Sequence, residues 1–166
     1  MRELFYAINE KNERIALETR RLGKIYRLTL ARESAVNSKK LYFLPGLSEA
    51  RVGDDGYWVL PRSISMNSEF QTFFIPREDI TYSYSAPVMS CYGIKKDGLC
   101  CLVRIERSFP YCLEMQVKNG DYRLSVSADL SKGLLLPEEF CFEVIPLEND
   151  ADYNDMARVE RELRLA

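Results

Sequence analysis

The 166-residue chain contains no histidine. Histidine is the commonest general base near neutral pH, the commonest protein ligand of transition metals and the usual partner of a nucleophilic serine or cysteine. Its absence excludes Ser-His and Cys-His nucleophile pairs and histidine metal sites. Carboxylate, lysine and tyrosine chemistry remain open.

Cysteine is present, but not in a metal-binding arrangement. Two cysteines are adjacent, so on a strand they would face opposite sides of the sheet, and the spacing of the others fits no zinc pattern. We therefore predict buried, reduced thiols, with no metal and no cofactor. The odd number, and an N-terminus without the apolar stretch of a secretory signal, predict a reducing, cytoplasmic setting. The cysteines are Cys91, Cys100, Cys101, Cys112 and Cys141.

Long apolar runs and a strong charge of one sign are also lacking. No stretch of 18 apolar residues occurs, which predicts that the chain does not span a membrane. The 23 basic and 25 acidic residues leave a net charge of -2. A nucleic-acid-binding domain usually carries a basic excess, so we expect no nucleic acid partner.

Strand-forming residues and turn signals are abundant. The chain is 46% apolar, with ten tyrosines and eight phenylalanines, and its length suits one domain. Between Ile80 and Ala128, alternating segments are separated by Asp97-Gly98 and Asn119-Gly120, which favour tight two-residue hairpin turns. About ten short strands with regular turn signals predict an all-β fold, an antiparallel β-sandwich or a barrel.

The periodicity changes after residue 149. Apolar residues then recur at spacings of three and four, with arginine and glutamate between them, which predicts one amphipathic C-terminal helix. Asp150 or Asp152 is the expected N-cap. We predict a β-sandwich domain over residues 1–149 and a helix over 150–166. The apolar positions of the helix are Tyr153, Met156, Val159 and Leu163.

An aromatic cluster is the main candidate for ligand contact. Most aromatic side chains in β proteins fill the core or pair across strands, and others form interfaces with proteins. A third interpretation is a platform on which sugar rings stack. The residues of this predicted platform are Tyr57, Trp58, Tyr82 and Tyr84.

Charged pairs in predicted turns carry no chemistry by themselves. Asp54-Asp55 precedes a strand, and Lys95-Lys96 lies at a hairpin tip. Such residues are ordinarily solvated, and a catalytic carboxylate pair requires convergence from separate elements. We therefore assign no catalytic residue.

Three segments resemble a known family when they are taken together and in order. They are GYWVLP at 56–61, PVMSCYGIKK at 87–96 and ADYNDMA at 151–157. Similar segments occur in the N-terminal region of large bacterial proteins that look like glycoside hydrolases. In those proteins a β-sandwich similar to galactose mutarotase precedes a (β/α)8 barrel. The resemblance covers roughly residues 50 to 166.

The resemblance implies a supersandwich fold and a non-catalytic accessory role. The domain would support the neighbouring barrel or contact glycan, the catalytic carboxylates would belong to the barrel, and the helix at 150–166 would lead into it. Two alternatives remain open. One is a protein-interaction or assembly module. The other is a free-standing mutarotase-like or isomerase-like enzyme using Glu106, Glu114 or Glu143, which the lack of histidine disfavours.

Overall fold

A computed structural model shows the arrangement of most of the chain. It describes residues 4–15, 18–36, 38–51, 54, 56–60, 66–69, 80–85, 91–106, 109, 111–119, 121–128 and 137–165. Only the backbone is described for residues 66–69 and 80–85, and for Val36, Lys39, Leu60, Val117 and Ala128.

Fourteen strands lie within these residues, and all their pairings are antiparallel. They form two seven-stranded sheets that enclose a common core, which confirms the predicted all-β antiparallel sandwich. The strands are β1 (Phe5–Asn9), β2 (Arg14–Ile15), β3 (Glu18–Leu22), β4 (Ile25–Ala31), β5 (Ser38–Phe43), β6 (Glu49–Arg51), β7 (Gly56–Leu60), β8 (Met66–Glu69), β9 (Ile80–Ser85), β10 (Cys91–Lys96), β11 (Leu99–Ile105), β12 (Tyr111–Lys118), β13 (Asp121–Ala128) and β14 (Glu139–Leu147).

The order of the strands differs from their order along the chain. Sheet A runs β2-β1-β5-β13-β12-β9, with β6 also paired to β13. Sheet B runs β3-β4-β14-β11-β10-β7-β8. The chain therefore crosses repeatedly from one sheet to the other, as is common in sandwiches.

Both predicted hairpins form. β10 and β11 join through Asp97 and Gly98, whose φ angles are 52° and 76°. Two positive φ angles give the turn the twist that the paired strands need. Asn119, with φ 52°, lies in the corresponding turn between β12 and β13.

Aromatic rings from both sheets fill the space between them. The rings of Phe5 and Phe43 in sheet A stack with centroids 4.4 Å apart, and Phe142 in sheet B meets Phe43 edge-on at 5.2 Å. Leu28 and Leu30 are buried here as the alternation in β4 predicts. This interlocking of rings fixes the distance between the sheets.

The predicted C-terminal helix is α2 (Tyr153–Leu165), and a single helical turn, α1 (Arg32–Val36), precedes β5. Asp152 caps α2: its Oδ1 accepts hydrogen bonds from the backbone N–H groups of Asn154 and Asp155, and Asp155 Oδ2 accepts one from the Asp152 N–H. This reciprocal pattern satisfies backbone donors that a helix start leaves free. No helix in the described ranges is both long and apolar enough to cross a bilayer.

Helix α2 packs on sheet B, on the side away from the main core. Met156 is buried there with Cys91, Cys100 and Leu102, and Val159 and Leu163 pack against the same cluster. The helix therefore covers part of this side of sheet B. The domain boundary placed at residue 150 stays a prediction.

Candidate binding surface

The side of sheet A that faces away from the core carries polar and aromatic side chains. Side chains alternate along a strand, so the residues between buried ones point outward. On the outer side, Tyr6 faces Tyr42 across β1 and β5, and Glu114 faces Ser125 across β12 and β13. We call this surface the polar face; it comprises Tyr6, Arg14, Lys40, Tyr42, Glu114, Arg123, Ser125 and Ser127.

Two tyrosines and two arginines form a layered stack on the polar face. The rings of Tyr6 and Tyr42 lie 4.8 Å apart between centroids. Arg14 Cζ lies 4.2 Å from the centroid of the Tyr6 ring, and Arg123 Cζ lies 4.8 Å from that of Tyr42. Cation–π attraction stabilises such layers. Tyr42 is only 7% exposed, so a ligand at that end of the stack meets the Arg123 guanidinium and not the face of the Tyr42 ring.

Burial and charge act in opposite directions on Tyr6. Its partial burial raises the pKa of the hydroxyl, while the nearby Arg123 guanidinium lowers it, and burial has the larger effect. Arg123 also donates a 3.4 Å hydrogen bond to the hydroxyl oxygen. The hydroxyl therefore stays protonated at neutral pH and can itself donate a hydrogen bond.

The carboxylate of the polar face is held by its neighbours. Glu114 Oε2 lies 3.3 Å from Lys40 Nζ, and its Oε1 accepts a 3.2 Å hydrogen bond from the Ser127 hydroxyl. These two contacts fix the orientation of the carboxyl group. Glu114 can then accept hydrogen bonds from hydroxyl groups of a ligand.

A cleft of about 510 Å³ opens where β6, the β12–β13 hairpin and the end of β10 meet. We call it the end cleft. Arg123 belongs to both the cleft and the polar face, so the two are continuous. The volume lies in the range of small-molecule sites, roughly 300 to 1,000 Å³. The lining side chains are polar and charged except for Ala50 and Tyr122.

Lys95 and Lys96 are not freely solvated, contrary to the interpretation of their sequence context. Lys95 Nζ donates a 2.6 Å hydrogen bond to the carbonyl oxygen of Ala151, just before α2. The Lys96 side chain is only 11% exposed and lines the end cleft. The pair lies at a hairpin tip, but the segment before α2 lies next to Lys95 and the walls of the end cleft surround Lys96.

The predicted aromatic platform is divided by the fold. Trp58 is completely buried in the core, and its indole N–H donates a 3.1 Å hydrogen bond to the Leu47 carbonyl oxygen. The Trp58 ring therefore belongs to the core, which is the first of the three interpretations given for the aromatic cluster, and a ligand cannot reach it. Tyr57 is half-buried near α2, and its hydroxyl oxygen accepts a hydrogen bond from the Tyr153 N–H. Tyr82 and Tyr84 pair through their backbones with Met115 and Leu113, and their side chains lie outside the described part of the chain.

The described parts of the three segments that carry the family resemblance, residues 56–60, 91–96 and 151–157, meet on sheet B. β7 and β10 are neighbours in the sheet, and the start of α2 contacts both. Gly93 of β10 lies directly beneath the Met156 side chain of α2, where a Cβ atom would collide with the Met156 sulfur. The contact with Met156 therefore restricts position 93 to a residue without a Cβ atom.

The three glutamates named for an enzyme are spread over two sheets. Glu114 lies on sheet A, whereas Glu143 belongs to sheet B and is held between Arg104 and Arg27, at 2.6 and 3.7 Å. Glu106 accepts a hydrogen bond from the Cys141 backbone N–H. Each carboxylate thus already has a structural partner.

Three thiols are buried and weakly acidic. Burial raises the pKa of Cys91 to about 12, of Cys101 to about 12 and of Cys100 to about 11. Cys101 joins the main core while Cys100 lies under α2, so the adjacent pair faces opposite sides as predicted. Among the described residues no group of three His, Cys, Asp or Glu side chains is placed to hold a metal ion.

These thiols should resist alkylation while the protein is folded. At pH 8 a thiol of pKa near 12 is about 0.01% thiolate, against about a tenth for an ordinary one, so Cys91 should react with iodoacetamide roughly 1,000-fold more slowly. The raised pKa of Cys91 in the folded protein also makes the free energy of unfolding depend on pH. The contribution of Cys91 to that free energy is complete below the ordinary thiol pKa and is lost as pH rises through 9 towards 12.

Peptide mass spectrometry after timed labelling measures this difference directly. The half-buried Cys112 is the internal comparison, and labelling in concentrated urea shows that all five thiols can react. Modification of Cys91 at the rate of Cys112 in the folded protein would contradict the prediction.

The polar face was not found from the sequence. Alternation in β1 and β5 marks Tyr6 and Tyr42 as outward residues, and that signal was available. The pairing of β1 with β5, and the position of β13 beside β5, were not available, because strand order depends on distant segments. Arg14 and Arg123 contact the two tyrosines because β2 lies beside β1 and β13 lies beside β5 in sheet A.

Comparison with known proteins adds no assignment. No protein-family model matches the chain. A search of curated proteins likewise finds no matching relative. The family resemblance therefore stays a prediction.

Proposed function

We propose that this domain is a non-catalytic accessory domain of a carbohydrate-active protein, and that it contacts glycan through the polar face and the end cleft. The observation that carries the proposal is their continuity through Arg123. It joins a stack of aromatic rings to a cleft lined by charged and amide side chains. Sugars present many hydroxyl groups on a compact ring. The guanidinium, carboxylate and amide groups of these two surfaces can form hydrogen bonds with several of those hydroxyl groups.

The resemblance to glycoside-hydrolase-like proteins supports the same proposal. In those proteins the domain lies beside a (β/α)8 barrel and the final helix leads into it. The contacts of α2 with Tyr57 and Lys95 would hold that helix at one place on the sandwich. A barrel following the helix would therefore have a defined position relative to the domain.

The two alternatives have less support. An assembly module would pair through an exposed sheet edge or an aromatic face. At the edge strand β3 of sheet B, the charges of Glu18, Arg20 and Arg21 oppose such pairing. An enzyme would need converging acid and base groups, whereas Glu114 lies on sheet A, Glu143 on sheet B and Glu106 just after β11.

Replacing Arg123 by alanine should weaken glycan binding about 5- to 30-fold, because Arg123 supplies donors to both surfaces and covers the Tyr42 ring. A glycan array with the whole chain would identify bound oligosaccharides. Calorimetry on the tightest of them would then compare the variant with the original protein.

Arg20→Ala is the matched control, since Arg20 is an exposed arginine on β3 at the edge of sheet B. It should leave the affinity unchanged. The absence of binding to any glycan on the array would contradict the proposal, as would equal losses in the two variants.

A further inference from the structure

Two cysteines lie beneath helix α2, in a cluster that is separate from the main core. Cys91 is 4% exposed and Cys100 is 1% exposed, and both pack with Met156, the only buried residue of Tyr153–Leu165. The next residue along the chain, Cys101, belongs to the main core between the sheets. Movement of α2 away from sheet B would therefore uncover Cys91 and Cys100 and leave Cys101 enclosed.

Each of these two thiols has a cation opposite it on the neighbouring strand. The register of β10 and β11 pairs Cys91 with Arg104 and Cys100 with Lys95. Residues directly opposite each other in an antiparallel pair project from the same side of the sheet, with Cβ atoms about 4.5–5.5 Å apart. Burial raises the pKa of both thiols, whereas Arg104 lowers that of Cys91 and Lys95 lowers that of Cys100. The cations thus favour the thiolate, which is the reactive form of cysteine.

The same two cations hold the helix segment in place. Arg104 Nε donates a 2.8 Å hydrogen bond to Glu160 Oε2 in α2, and Lys95 Nζ donates a 2.6 Å hydrogen bond to the Ala151 carbonyl oxygen. Arg104 also lies 2.6 Å from Glu143, which keeps its guanidinium group on the sheet. When α2 moves away, the burial that raises the pKa of the thiols is removed, while both cations remain beside them.

Helix α2 has the features of a segment that opens before the rest of the domain. Apart from Met156, its described side chains are exposed or half-buried. The cluster beneath it is separate from the one that holds the two sheets together. Segments with few buried apolar contacts open at a lower free-energy cost than the whole domain. The sheets can therefore stay packed while α2 is undocked.

From this arrangement we infer that Cys91 and Cys100 form a modification site that α2 covers when it is docked and exposes when it opens. The co-reactant is a small disulfide such as glutathione disulfide. The thiol loses its proton to solvent, and the thiolate attacks one sulfur of the disulfide. A new S–S bond forms as the old one breaks, and the other half of the reagent leaves as a thiolate.

Modification in turn controls the position of α2. Met156 already fills the space above Gly93, where even a Cβ atom would collide with its sulfur, so a glutathione group does not fit beneath the docked helix. The mixed disulfide therefore holds α2 open until a reduced thiol reverses the exchange. This site shares no residue with the polar face or the end cleft, so it does not depend on carbohydrate binding.

Peptide mass spectrometry after timed exposure of the whole chain to glutathione disulfide tests the inference. Cys91 and Cys100 should acquire glutathione at least about tenfold faster than Cys101, although burial raises the pKa of all three thiols. Cys101 is the internal comparison, because it becomes accessible only when the sheets separate. Equal rates at the three cysteines would overturn the inference. An unmodified Cys91 and Cys100 in protein whose half-buried Cys112 has fully reacted would also overturn it.

A variant of α2 shows whether the helix controls access. Glu160→Gln weakens the contact with Arg104 and should increase the modification rate at Cys91 and Cys100 about 3- to 10-fold. The charge of Glu160 also raises the pKa of Cys91 directly, so the rate at Cys100 is the decisive one.

Glu162→Gln is the matched control for that variant. Glu162 is an exposed glutamate of the same helix and pairs with Arg158 one turn earlier. Its replacement should leave both modification rates unchanged. Equal rates at Cys100 in the two variants would overturn the inference.

Hydrogen exchange shows whether the bound group holds the helix open. The backbone amides of Tyr153–Leu165 should exchange at least about tenfold faster in protein modified at Cys91 or Cys100, and dithiothreitol should restore the slow rate. Amides of β12 and β13 in sheet A are the comparison and should keep their exchange rates. Unchanged exchange in α2 after modification would overturn the inference.

Discussion

Replacing Trp58 by alanine should lower the free energy of unfolding by about 3–5 kcal/mol, which is the usual cost of removing a fully buried large aromatic ring. The Trp58 side chain has no exposed surface, and it lies where the inner sides of the two sheets meet. The variant also removes the indole N–H that bonds to the Leu47 carbonyl oxygen. The midpoint of thermal unfolding should fall by roughly 6–20 °C.

Urea unfolding followed by far-ultraviolet circular dichroism is the suitable measurement. Fluorescence cannot be used, because Trp58 is the only tryptophan in the chain. Trp58→Phe is the matched variant: it keeps an aromatic ring but removes the N–H donor, and should cost about 1–3 kcal/mol. A loss below about 1 kcal/mol for Trp58→Ala would show that the ring is not sealed in the core.

Replacing Gly93 by valine should destabilise the protein by about 1–3 kcal/mol, although valine is the better strand former. The reason is the close approach of α2: a Cβ atom at Gly93 would collide with the Met156 sulfur. The Met156 side chain or the helix itself must then shift, which disturbs the small cluster that Met156 forms with Cys100 and Leu102. Strand propensity alone predicts that Gly93→Val stabilises the protein. The free energy of unfolding measured in urea therefore distinguishes strand propensity from the contact with Met156.

Two further variants identify the cause. Gly46→Val should cost far less, because nothing lies within 4 Å of a Cβ atom built at Gly46. Met156→Ala alone should cost about 2–5 kcal/mol by leaving a cavity. Combined with Gly93→Val, it should give less than the sum of the two single losses, because the valine fills space that the methionine vacates. Simple additivity would show that Gly93 and Met156 do not meet.

Trypsin supplies an independent measurement of helix docking. Arg158 and Arg161 of α2 are exposed, and a packed helix resists cleavage because proteases require an extended chain. Gly93→Val should be cut at these sites faster than the original protein under conditions in which the sheets remain folded. Unchanged cleavage would mean that the helix stays docked.

Short-range features of the fold could be predicted from the sequence because neighbouring residues specify them. Asp97 and Gly98 form the β10–β11 turn since both adopt positive φ angles. The spacing of Met156, Val159 and Leu163 places them on one side of α2, and Asp152 caps its start. Alternation in β4 buries Leu28 and Leu30 in the same way.

Site residues were harder to find because their roles depend on contacts between distant segments. Trp58 and Tyr57 are adjacent in sequence, yet one is sealed in the core and the other touches α2. Period-two alternation shows that they face opposite sides, but it does not show which side is solvent. Lys96 looked like an ordinary hairpin-tip lysine until the cleft beside it was formed by β6 and β13.

The sequence by itself determined the class of this protein: an antiparallel β domain with hairpins at defined turns and one capped amphipathic helix. Local backbone preferences and hydrophobic periodicity are sufficient for that. Only the tertiary structure decided that the continuous block from Ile80 to Ala128 is shared between the sheets, with β10 and β11 in sheet B and β9, β12 and β13 in sheet A. That division brings Arg123 to Tyr42 and leaves Lys96 at the cleft. Burial over the whole chain selects such pairings, and no local pattern encodes them.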